Sequence, residues 1–148
     1  MTTRVLAYNV GNEHDPGDPW GRSELVIQPD GTARLDHFFS RRGPVGAWTG
    51  RVDAGALEAL WSALEQAGFP DAPTTMLTAG ATPRRLTVEA DGVSQRVMID
   101  YHGASKLPGY AEAFDLLDAI VRQLSEDAVD YPTNQPATVV SDVAKAHG

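Results

Sequence analysis

Apolar and polar positions alternate on both sides of Asp91-Gly92, and a two-residue turn at that point sorts the flanking runs into a dry face and a wet face. Asp-Gly suits a type I′ hairpin, because both central residues need positive φ. Ala90 then pairs with Val93, Val88 with Gln95, Leu86 with Val97 and Arg84 with Ile99. Leu86, Val88, Ala90, Val93, Val97, Ile99 and Tyr101 share one face, with Arg85, Thr87, Glu89, Ser94, Arg96, Met98 and Asp100 on the other. A slip of one residue would exchange the faces, so the pattern itself specifies the register.

A second hairpin is predicted from Ser23–Ile27 and Ala33–Phe39 around Pro29-Asp30-Gly31, with glycine in the left-handed position of the turn. Leu25, Ile27, Ala33, Leu35, His37 and Phe39 form its apolar face, and a lone histidine there reads as a core or rim residue bonded to a nearby backbone carbonyl. Arg4–Val10 and Ala47–Val52 read as flanking strands, for about five or six strands in all.

The period then changes to that of a helix. Asp53 is a good N-cap for a helix carrying Leu57, Leu60, Trp61 and Leu64. Gly68 reads as its left-handed stop, with Phe69 folding back on Leu64 and Pro70 preventing continuation. Pro108 stands near the start of a second helix whose Tyr110, Phe114, Leu117, Val121 and Leu124 make one stripe, with Glu112, Asp115, Asp118 and Arg122 toward water. Both stripes must be buried on the apolar faces of the hairpins. The expectation is an α+β two-layer sandwich, a mostly antiparallel sheet with two helices on one face. Residues 1–125 read as one domain. Residues 126–148, poor in apolar side chains, read as an extended or disordered C-terminal tail in which Thr138–Val143 can add an edge strand.

Composition narrows the chemistry. The 148 residues suffice for one cored domain, and the absence of cysteine excludes disulfides and thiolate metal sites. Twelve basic against 20 acidic residues give a net charge of −8, which opposes nucleic acid and favours a basic partner. No apolar run approaches the ~20 residues of a membrane span, and the N-terminal stretch lacks a signal peptide's pattern, so no membrane partner and a cytoplasmic location are expected. Glycine-rich phosphate cradles are missing, and no cofactor is expected.

Asp15 and Asp18 crowd with Glu13 and His14 in an acidic loop, yet the spacing is not that of a calcium loop, and the four histidines form no close pair that suggests zinc. A solvated loop, with no metal, is the expectation. The better contact candidates are Trp20, Arg41, Arg42 and Trp48 beside those acids, because Trp and Arg concentrate at binding hot spots. Trp48 also suits a place in the core. An alternative polar site is Asp100 with His102, next to Tyr101 at a strand end, where an acid-paired histidine can act as a base.

Residues 49–120 resemble the emfourin family of bacterial inhibitors of thermolysin-like metalloproteases. The resemblance rests on a strand running into Leu57-x-x-Leu60-x-x-x-Leu64-x-x-Ala67-Gly68-Phe69-Pro70, then Leu86-Thr87-Val88 and the Asp91-Gly92 turn, then Pro108 and a closing helix. It implies a proteinaceous inhibitor and carries over no functional residue. The leading expectation is therefore a non-enzymatic binding domain of inhibitor or immunity type, acting on another protein that is basic or a protease. Two others stand beside it: a small enzyme or ligand-binding domain using Asp100 and His102, and an assembly domain pairing through the tail or an edge strand.

Overall fold

The computed structural model describes residues 4–11, 22–38, 45–71, 83–100, 107–126, 128–129 and 138–145. Seven strands and two helices follow in the order β1 (Arg4–Gly11), β2 (Arg22–Ile27), β3 (Thr32–Phe38), β4 (Val45–Val52), α1 (Ala54–Ala67), β5 (Pro83–Ala90), β6 (Val93–Asp100), α2 (Tyr110–Leu124) and β7 (Val140–Lys145). The strands form one antiparallel sheet in the order β6-β5-β1-β2-β3-β4-β7, so β1 lies between the two hairpins. With the two helices, this is the α+β sandwich that the hydrophobic pattern predicts.

Both hairpins take the registers read from their turns. β5 and β6 pair Ala90 with Val93, Leu86 with Val97 and Arg84 with Ile99. Asp91 and Gly92 have φ of 53° and 79°, as a type I′ loop requires. β2 and β3 pair Leu25 with Leu35 and Ile27 with Ala33 around a three-residue loop, in which Gly31 N–H donates to Gln28 C=O at 2.9 Å. Every second residue of β1 joins the same interior: Leu6, Tyr8 and Val10 are buried.

The stop of α1 follows from its sequence. Gly68 N–H donates to Glu65 C=O and Phe69 N–H to Leu64 C=O, at 3.1 and 3.0 Å, which is the Schellman pattern. Asp53 stands at the N-cap as the sequence predicts, its C=O accepting the Leu57 N–H at 2.9 Å, but without a side-chain cap. It is held also through its own N–H, which donates to Val139 C=O at 2.9 Å. α2 starts at Gly109, where a φ of 84° and the proximity of α1 both exclude a side chain, because a Cβ would lie 2.5 Å from Ala67 N. The Glu112 carboxylate then accepts the Gly109 N–H at 2.6 Å.

Past α2, Val129, Val139 and Val140 are buried, and β7 pairs with β4 as the edge strand that the sequence allows at 138–143. Val139 N–H donates to Gln123 Oε1 at 2.8 Å, tying this segment to α2. The sheet thus has seven strands instead of five or six.

One helix position is corrected. Asp118, expected to face water, is 2% exposed. It lies four residues after Phe114 and three before Val121, within the stripe that packs on the sheet, and so it is carried under the helix.

Candidate functional site

Two groups of polar side chains stand out from this frame, one sealed and one open. The sealed group crosses the sandwich from β1 and β5 to α2. Arg84 donates to Asp118 at 3.0 Å (Oδ2) and 3.2 Å (Oδ1) and to the Tyr8 hydroxyl, and Tyr8 Oη donates to Asp118 Oδ1 at 2.9 Å. Phe114 covers it, its ring centroid 5.6 Å from that of Tyr8 and 5.1 Å from the Arg84 guanidinium. Arg84 comes to this place by strand alternation: it stands two residues before Leu86 on the inner face of β5 and is 7% exposed. Burial pushes the Asp118 carboxyl up to about 6, against the attraction of Arg84 and the hydrogen bonds from Tyr8 and Arg84. A buried acid–arginine–phenol cluster of this kind is a structural tie between the layers.

A smaller buried pair joins β2 and β3. Ser23 Oγ lies 2.7 Å from His37 Nδ1, with both residues fully buried. The lone histidine on the apolar face is therefore a core residue, as read, but this bond is to a side-chain hydroxyl instead of a carbonyl.

The open group lies where β1 begins, the β2–β3 turn reverses and β4 runs into α1. These ends meet because antiparallel pairing brings Leu6 beside Ile27 and Thr32 beside Arg51. They enclose a cleft of about 500 Å³ with Trp61 and Leu57 of α1 as its apolar wall. The Arg4 guanidinium lies over Trp61, 4.0 Å from the ring centroid. Asp30, Asp53 and Glu58 bring carboxylates to the lining, and Arg51 donates to Asp30 C=O at 3.2 Å. Asp30 Oδ1 accepts the Thr32 N–H at 2.9 Å, and that bond holds its carboxyl below the usual aspartate range.

Of the contact candidates read from sequence, Trp48 is the one that falls among the described residues. Asp15, Asp18, Trp20, Arg41, Arg42 and His102 lie outside the described residues, and so does the side chain of Asp100. Trp48 is described: it points inward from β4, is 6% exposed and belongs to the hydrophobic core. The sequence reading missed the cleft. Trp61 was legible only as part of a helical stripe, and nothing local in the chain connects it to Arg4.

Among the described residues no group of histidine and carboxylate side chains is arranged to hold a metal ion, and no helix is long and apolar enough to cross a membrane. Set against family models, curated proteins and solved structures, the chain matches none.

Proposed function

We propose that the chain is a non-enzymatic, cytoplasmic protein-binding domain of inhibitor or immunity type, and that a basic protein, with proteases as the first class to test, docks at the cleft between β1 and α1. The observation that carries this reading is the cleft's composition. An indole and a leucine form its apolar wall, and in its charged lining the carboxylates of Asp30, Asp53 and Glu58 outnumber the guanidiniums of Arg4 and Arg51. Trp at the centre of a contact with charge at its margin is the usual anatomy of a binding hot spot. Arg4 on Trp61 rehearses the contact, since a partner's arginine or lysine approaching the indole finds the same ring face and nearby carboxylates.

Two further features support the reading. The net charge of −8 accelerates encounter with a cationic surface. The order of elements over 49–120 resembles that of the emfourin family of metalloprotease inhibitors. The experiment is capture of partners from the native cytoplasm, followed by binding kinetics of the purified pair. Association is expected to slow as salt rises, and Trp61→Ala is expected to weaken binding by about tenfold or more. Association indifferent to salt, together with an unaffected Trp61→Ala variant, refutes the reading.

A further inference from the structure

The two borders of the sheet are built differently. β7 closes one border irregularly: its register with β4 shifts between Thr49 and Arg51, and Asp142 takes a φ of 54°. Bulged, charged edges of this kind resist the addition of another strand. β6 forms the other border and is regular throughout, paired with β5 without interruption from Ala90↔Val93 to Pro83↔Asp100. It contains neither proline nor glycine, and Val93 and Met98 are 61% and 46% exposed.

The type I′ loop fixes which backbone groups face the border. Its flanking residues, Ala90 and Val93, exchange hydrogen bonds with each other. Alternation from Val93 therefore turns the N–H and C=O groups of Ser94, Arg96, Met98 and residue 100 away from β5. Among the described residues no strand lies beyond β6 to receive them.

We propose that a second copy of this chain receives them, β6 pairing antiparallel with β6 about a two-fold axis at Met98. This register sets Met98 opposite its own counterpart, Val97 opposite Ile99, and Arg96 opposite position 100, an aspartate in the sequence. Neighbouring registers are poorer. An axis at Val97 sets Arg96 opposite Met98 and forms no pair of opposite charge, whereas an axis at Arg96 sets the two arginines against each other. The pattern of charge along β6 thus selects one alignment. The contact is isologous and closes after two copies, joining the sheets into one. Its area is that of two strand edges, which belongs to the weak, concentration-dependent class of association.

Sedimentation of the full chain from nanomolar to near-millimolar concentration tests this, with a monomer–dimer equilibrium expected. Arg96→Asp sets aspartates opposite each other, and Asp100→Arg sets arginines opposite each other. Each is expected to weaken dimerisation by about tenfold or more, and an equal mixture of the two variants is expected to dimerise again, because every facing pair regains opposite charges. Met98→Pro removes an N–H that faces only the border, so dimerisation should be lost while the circular dichroism and Tm stay unchanged. A wild-type chain that stays monomeric throughout, a mixture that stays monomeric, or a Met98→Pro variant that dimerises normally overturns the proposal.

Discussion

Arg84 and Arg4 each rest on an aromatic ring, one over Phe114 and the other over Trp61, but they stand in opposite surroundings. Arg84 is enclosed between sheet and helix with a carboxylate and a phenol as partners; Arg4 lies at the mouth of a cleft with solvent beside it. Enclosure makes the first arrangement obligatory, since a guanidinium removed from water needs a counter-charge and satisfied donors. Exposure leaves the second exchangeable. The same contact is a tie in one place and a recognition surface in the other, and the difference is access to water.

The largest effect that separates them is expected from Arg84→Ala, which strands the Asp118 carboxylate in the interior. A loss of about 3–5 kcal/mol at neutral pH is expected by urea denaturation. Replacing both partners, Arg84→Met with Asp118→Leu, should recover most of that loss, because a buried ion pair contributes little beyond its own desolvation. If the double variant is as unstable as the single one, Arg84 does more than balance Asp118.

The pH dependence sharpens the same point. Asp118 titrates near 6 in the folded chain against an ordinary 3.8, so the folded state binds this proton more tightly than the unfolded state. Its contribution to stability is complete below the unfolded value and is lost as pH rises through about 6. Measured by denaturation at a series of pH values, the wild-type chain should lose stability relative to Asp118→Asn across that window. Parallel curves for the two proteins count against an enclosed carboxyl. Next in size is Tyr8→Phe, which removes a hydroxyl that both accepts from Arg84 and donates to Asp118; about 1–3 kcal/mol is expected by thermal unfolding. Smallest is Arg4→Ala, expected to cost less than about 1 kcal/mol because its ring contact is in reach of water. A cost equal to that of Tyr8→Phe would erase the distinction.

Much of the architecture is legible before any coordinates. The turns at Asp91-Gly92 and Pro29-Asp30-Gly31 fix registers because side-chain direction repeats every two residues, and Leu64, Gly68 and Phe69 carry a complete stop signal. The sealed cluster is harder to read because each member alone breaks a pattern. Arg84 is a charge in an apolar phase and Asp118 a charge within an apolar stripe; only their mutual satisfaction, across a long stretch of chain, resolves both. The cleft is not legible at all. Its walls come from the start of β1, the β2–β3 turn and α1, and their meeting depends on β1 taking the place between β2 and β5. The alternation of Leu6, Tyr8 and Val10 suits any neighbour and does not specify that place.

That placement has a consequence for how the chain assembles. β1 to β4 are joined in sequence and can zip together locally, whereas the second neighbour of β1 is the later hairpin, with Arg4 meeting Ala90. Contacts between remote segments form slowly, because the intervening loop must close before anything is gained. On the ribosome, the meander is therefore complete while both of its flanks still wait for a mate, β1 for β5 and β4 for the still later β7, and until those strands emerge both flanks are open to errant pairing.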